Sequence, residues 1–161
     1  MKNLVLMVGT PASGKSTFIK EHNKDNYKVI SRDAIRFSLL KDNEDYFAHE
    51  NEVYNIFINT TKEELGKGNN VIADATFLNK NARIRFLRAL GRSLEDTKVT
   101  AIMMKTPLDV CLERNEQREG RAYVPREAIK RMDAQKTTPS LDEGFDEIFI
   151  YIGKNCMHKK R

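Results

Sequence analysis

Cysteine is scarce in this sequence, and the spacings that bind structural metals are missing. Its 161 residues hold two cysteines, Cys111 and Cys156, far apart and with no C-x-x-C between them. The three histidines form no pair at metal-ligand spacing. These absences argue against a disulfide framework and a structural zinc, and they suit a reduced, cytoplasmic setting. No stretch approaches the roughly 20 consecutive apolar residues of a membrane-spanning helix. A strand-like run begins within a few residues of Met1, which leaves no room for a signal peptide. Repeats, low-complexity tracts and interdomain linkers are also missing, so residues 1–161 are expected to fold as one domain around one core. Neither sign of charge dominates. Twenty-eight basic residues against 23 acidic ones leave a net charge of +5, a modest balance that favours a polyanionic partner without specifying it.

What is present begins with Gly9-Thr10-Pro11-Ala12-Ser13-Gly14-Lys15-Ser16. This reads G-x-x-x-x-G-K-S, the phosphate-binding P-loop. The apolar run Leu4–Val8 precedes it, and Phe18 and Ile19 open a helical pattern after it, the strand–loop–helix setting that the motif requires. Gly9 and Gly14 allow a tight turn close to an anion. The loop amides and the helix N-terminus direct partial positive charge at phosphate oxygens. Lys15 is expected to reach the β- and γ-phosphates and the Ser16 hydroxyl to ligate Mg2+, with Thr17 near the α-phosphate. There is no Asn-Lys-x-Asp guanine-reading motif and no second helical domain, which argues against a GTPase or a motor ATPase.

Strand-like runs at Leu4–Val8, Tyr27–Ile30, Asn70–Ala73, Val99–Met104 and Ile148–Ile152 alternate with helical patterns. This predicts an α/β fold of the P-loop NTPase type, with a parallel five-stranded sheet sandwiched between helices. The helices are expected over Lys15–His22, from about Asp33, over Asp45–Leu65 and after Asn79. The third would turn Phe47, Val53, Tyr54, Phe57, Ile58 and Leu65 to one apolar face and stop at Gly66 and Gly68. In the fourth, Phe86, Leu87 and Leu90 would face the core while Arg83, Arg85, Arg88 and Arg92 stay in solvent. Thr106-Pro107-Leu108-Asp109 and Val124-Pro125 read as two more helix starts. The polar stretch between them is expected to be an exposed, moving lid at about 114–124.

Asp33 and Asp74 both fall at carboxyl ends of strands, where open parallel sheets bind ligands. Asp33 can take a proton from an attacking hydroxyl, or it can simply cap the next helix. Asp74 can hold Mg2+ through water, or orient Arg36 or the acceptor. Arg36 lies one helical turn beyond Asp33, so if Asp33 takes the acceptor's proton, Arg36 points into the acceptor side of the cleft and can grip an acceptor phosphate with two parallel hydrogen bonds. Arg114, Arg118 and Arg121 recur at i, i+4 and i+7, so one helix face could close them over a triphosphate. The bland reading of the same spacing is a solvated basic face.

Taken together, these residues resemble the kinase domain of polynucleotide 5′-kinases of the bacteriophage T4 and metazoan type, over nearly the whole chain. The P-loop through Thr17 is similar to that family's. Ser31-Arg32-Asp33 stands where the family has Asn-Arg-Asp, and Ala73-Asp74-Ala75-Thr76-Phe77-Leu78-Asn79 resembles its Asp-x-Thr-x-x-Asn segment. Arg114-Asn115 and Arg118 match its lid arginines, and Leu141–Ile148 resembles the metazoan segment entering the last strand. The resemblance implies an ATP- and Mg2+-dependent transfer of the γ-phosphate to the 5′-OH of DNA or RNA, with a bacterial or phage-infected cell as a fitting setting. It implies Asp33 as general base, Lys15 and Arg118 in catalysis, Arg114 and Arg118 on ATP, and Arg36 and Asp74 on the acceptor side. It also leaves room for a homo-oligomer or a separate phosphatase or ligase partner. Ser31 departs from the family's Asn, and no phosphatase domain accompanies the kinase pattern. Related P-loop kinases of small molecules or modified nucleobases use much the same parts, and a nucleotide-driven switch is a further alternative.

Overall fold

The computed structural model of the chain describes residues 1–23 and 25–161, with the Arg121 side chain outside the description. The five apolar runs become β1 (Lys2–Val8), β2 (Lys28–Ser31), β3 (Val71–Asp74), β4 (Thr97–Met104) and β5 (Glu147–Ile152). They pair in parallel in the order β2-β3-β1-β4-β5. The helices α1 (Lys15–His22), α2 (Arg32–Leu39), α3 (Glu50–Gly66), α4 (Lys80–Leu90), α5 (Leu108–Glu116) and α6 (Arg126–Ala134) fill the crossovers.

The alternation of β1 sorts its side chains between the two faces of the sheet. Leu4, Leu6 and Val8 join the larger core with Phe57, Phe86 and Phe145, while Met7 packs with Ile19 and Ile72 on the other side. A third apolar cluster, Leu112, Val124, Ala128 and Ile129, ties α5 to α6 and has Tyr46 packed against it. No helix among the described residues is long and apolar enough to cross a membrane.

Several sequence expectations are corrected. The sheet has a sixth strand, β6 (Asn155–Lys160), antiparallel to β5 across a turn in which Gly153 has φ 60°. All six of its residues are exposed, so a solvated edge strand carries no apolar run by which to recognise it. Helix α3 begins at Glu50, not Asp45. Residues 46–49 form turns, and Phe47 leaves the apolar face assigned to it. Arg83 is 0% exposed rather than solvated. Its Nε and Nη2 donate to Glu143 at 2.6 and 3.1 Å, and Nη1 donates to the Phe77 and Thr137 carbonyls. Thr106 does not cap α5. Its hydroxyl donates to the Ser13 carbonyl at 2.7 Å and so ties β4 to the P-loop.

Candidate active site

The P-loop closes on itself because its residues allow it. An added Cβ at Gly9 would lie 2.5 Å from Ser13 Oγ and 3.1 Å from the Met104 carbonyl, so no larger residue fits. Gly14 takes φ 107° at the start of α1, and Ala12 takes φ 66°. A non-glycine residue in the left-handed region costs about 1–2 kcal/mol, and such strain gathers where backbone geometry serves a ligand. Pro11 through Thr17 line a cavity of about 1130 Å³. That exceeds the roughly 300–1,000 Å³ of a single small-molecule pocket, which leaves space for a donor and an acceptor.

Lys15 Nζ donates to the Gly9 carbonyl at 2.8 Å and to the Thr10 carbonyl at 3.4 Å, so it lies across the loop. Burial pushes its pKa down, against the pull of Asp74 and Asp33. Asp74, the last residue of β3, pairs in register with Ser31 and Met7 at the carboxyl end of the sheet. Burial pushes its carboxyl up from the ordinary range, and nearby Asp33 adds to this while Lys15 opposes it. Among the described residues no group of three His, Cys, Asp or Glu side chains gathers into a metal cage. Ser16 and Asp74 both line the cavity, a sparse set that suits Mg2+, which typically takes one or two carboxylates along with substrate phosphates and water.

Asp33 is not the cap of α2. Ser31 holds that position, its hydroxyl accepting from the Ala34 amide at 3.1 Å. Asp33 sits in the first turn, where its Oδ1 accepts from Arg36 Nη1 and from the Tyr46 hydroxyl, the latter at 2.7 Å. Both bonds fall on Oδ1, and Oδ2 accepts none from the described residues. The Asp33 side chain is half exposed and lines the cavity.

Arg36, expected as a free grip on the acceptor, is 6% exposed. Its Nε and Nη2 donate to the two oxygens of Glu50 at 2.7 and 3.1 Å, and Nη1 also donates to the Tyr46 hydroxyl at 2.9 Å. Its guanidinium lies over the Tyr46 ring, 4.4 Å from the centroid. Burial, chiefly, and the adjacent Asp33 carboxylate push the Tyr46 hydroxyl pKa up, so it stays a donor. Arg36 touches Asp33 and lines the cavity, but its donors are largely committed. Tyr46 and Glu50 escaped the sequence reading. They lie 13 and 17 residues beyond Asp33, and no spacing rule connects them.

The lid is also rearranged. Helix α5 stops at Glu116, so Arg118 and Arg121 lie past its end and the three arginines share no helix face. Arg114 Nη1 lies 3.4 Å from the Ala12 carbonyl, over the P-loop, and 3.6 Å from where a Gly14 Cβ would stand. Arg118 also lines the cavity, its Nη1 donating to the Ala122 carbonyl at 3.4 Å. Asn115, in a stretch expected to be fully exposed, is 0% exposed. Its side chain donates to the Val124 carbonyl at 2.7 Å and accepts from the Val124 amide at 3.0 Å, pinning both ends of the lid together. Asp133 on α6 accepts from Thr10 Oγ1 at 2.8 Å, another link unseen in the sequence.

Residues 4–139 match the family described as AAA domain. Over 152 residues the chain is 32% identical to the L-seryl-tRNA(Sec) kinase of Methanococcus maripaludis, an alignment covering 89% of this chain and 56% of that protein. Among solved structures, it is similar to a chain of the Pnkp1/Rnl/Hen1 RNA repair complex, with a TM-score of 0.65, 26% identity and coverage of 83% of this chain and 43% of that one. A putative kinase from Chloroflexus aurantiacus gives a TM-score of 0.68 at 17% identity, covering 84% of this chain and 76% of that one, a likeness of fold alone. The chain spans about half the length of the first two proteins.

Proposed function

The chain belongs to the AAA-domain family, as a P-loop protein of the kinase kind, and from that premise we propose that it is an ATP- and Mg2+-dependent polynucleotide 5′-hydroxyl kinase. The observation that carries the reading is the state of Asp33. One oxygen is fixed by Arg36 and Tyr46, and the other is left without a donor among the described residues, in the cavity that the P-loop also lines. A carboxylate so held is suited to take a proton from an incoming hydroxyl.

In the proposed reaction the acceptor oxygen bonds to the γ-phosphorus as the bond from that phosphorus to the β-bridging oxygen breaks. ADP leaves, and the acceptor's proton passes to Asp33 Oδ2. Lys15 exchanges its two carbonyl partners for β- and γ-phosphate oxygens, and Arg114 and Arg118 offset charge on the transferred group. Ser16 and a water on Asp74 would hold Mg2+, which when bound draws charge from the β- and γ-oxygens.

A nucleic-acid acceptor is supported by two relatives, one named as a tRNA kinase and the other part of an RNA repair complex. The net charge of +5 agrees with a polyanionic substrate. The first relative also favours a second reading, in which the hydroxyl belongs to an aminoacyl group carried on a tRNA. Labelled ATP offered with a 5′-OH oligonucleotide, its 5′-phosphorylated counterpart, seryl-tRNA, nucleosides and sugars separates the readings. Label on the 5′-OH oligonucleotide and not on the 5′-phosphorylated one is expected. Label on seryl-tRNA alone establishes the second reading, and label on a nucleoside or sugar alone overturns both.

A further inference from the structure

Phe47 stands at the mouth of the cavity with 39% of its surface exposed. Its ring stands against Tyr46 and Arg36, in a cavity that Arg32, Asp33 and Glu50 also line. Its position is fixed from behind. The ring meets Tyr46 edge-on, with centroids 4.7 Å apart at 82°, and the Arg36 guanidinium carbon lies 5.9 Å from its centroid. Tyr46 and Arg36 are themselves held by Asp33 and Glu50. The wall therefore offers an aromatic ring, braced by Arg36 and Tyr46 and part-exposed, in the same cavity as the carboxylate placed for proton transfer. Arg32, next to Asp33 in the chain, adds a guanidinium of which only Nη2 is bonded among the described residues, to Glu50 at 3.1 Å.

This combination selects for a ligand with a flat ring at one end and anionic groups beyond it. A nucleotide has both, whereas a polyol has no face to stack. A base stacks on an aromatic ring whatever its identity, and single-stranded ends are read by stacking of this kind. We propose that Phe47 is a stacking platform for the 5′-terminal base of the acceptor strand. With the base seated there, the 5′-hydroxyl of the same nucleotide is directed toward Asp33. The inference rests on the polynucleotide reading above and adds a binding element to it. It predicts that the kinase handles an unpaired 5′ end with little preference for base type.

The test compares two 5′-OH oligonucleotides that differ only at the 5′-terminal residue, one with its base and one abasic. Wild type is expected to show a lower KM for the first. In Phe47→Ala that preference should fall by roughly 5- to 150-fold, the range over which base–aromatic stacks weaken on alanine substitution. Phe47→Tyr, which keeps the ring, should retain it. An unchanged preference in a folded Phe47→Ala overturns the platform, and so does its loss in Phe47→Tyr. If wild type phosphorylates neither oligonucleotide, the polynucleotide reading falls, and the platform is measured by binding alone. Fluorescence anisotropy with 3′-labelled oligonucleotides then decides. Tighter binding of the base-bearing end that Phe47→Ala abolishes upholds the platform, and equal wild-type affinities overturn it.

Discussion

Replacing Arg36 with alanine removes every bond that links Glu50 to Asp33. Left behind are a half-exposed Asp33 held by Tyr46 alone and a Glu50 carboxylate, 29% exposed, with Arg32 as its remaining partner. Breaking a fully buried ion pair costs about 3–5 kcal/mol. Both carboxylates here reach water, which screens them, so a loss of about 1–2 kcal/mol is expected. For a domain of this size that is a fall in melting temperature of roughly 2–8 °C. The kinetic effect should be larger. Asp33 Oδ1 loses its cationic anchor, and a displacement of the order of 1 Å at a reacting group costs about 10² in rate. Steady-state kinetics with ATP and a 5′-OH oligonucleotide should show kcat and kcat/KM falling together, the sign of an interaction made only in the transition state. Arg36→Lys keeps the charge but loses the planar fork that pairs with both Glu50 oxygens while reaching Asp33, so it should recover stability better than rate. An unchanged kcat in Arg36→Ala, with the oligonucleotide KM raised tenfold or more, would refute this reasoning and restore Arg36 as a free phosphate grip.

Lys15→Ala should fold and lose about 10² or more in turnover, as expected when charge at the β- and γ-phosphates goes uncompensated, and near wild-type turnover would remove the P-loop from the mechanism. Asp74→Asn should raise the melting temperature at neutral pH, because burial holds the wild-type carboxyl pKa above its unfolded value and ionisation there costs stability. Wild type regains that stability as pH falls through the raised pKa toward the unfolded value, so melting curves of the two proteins should converge below about pH 4. A constant difference across pH would count against burial as the cause. Asn115→Ala strips both bonds from the Val124 backbone, and about 1–3 kcal/mol of stability should go with them. Proteolysis should then cut the chain near residues 116–124 faster than in wild type, and an unchanged cleavage rate would mean the lid is held elsewhere.

The sheet was legible because its central strands β1, β3 and β4 hold no exposed residue and read as apolar runs, with Ile30 the one buried residue of edge strand β2, and the P-loop because its geometry tolerates few residues. Gly9 shows this directly, since a Cβ there has nowhere to go. The catalytic surroundings were harder to read. Asp33 and Arg36 share a helix turn, but what holds them comes from the turns before α3 and from α3 itself. The helical periodicity through Phe47 was misleading, because the Tyr46 hydroxyl finds Asp33 and the Glu50 carboxylate finds Arg36 only if the chain turns before the helix begins. Polar character likewise misplaced Arg83 and Asn115. Both are fully buried because they find polar partners, Arg83 on Glu143 and Thr137 far along the chain and Asn115 on the Val124 backbone across the lid, and composition carries no trace of such partners.

Single-turnover transfer of labelled γ-phosphate to a 5′-OH oligonucleotide, by wild type and by Asp33→Asn, puts the proposed chemistry to its most direct test. Ser31 caps α2, so the substitution leaves the helix start intact, and the amide oxygen can still accept from Arg36 and Tyr46 while the negative charge and the proton-accepting carboxylate are lost. Wild type should label the oligonucleotide. Asp33→Asn should bind ATP with the same affinity and transfer the label about 10²–10⁴ times more slowly, the usual contribution of a general base. Transfer by Asp33→Asn at the wild-type rate would contradict the assignment of Asp33 as the base.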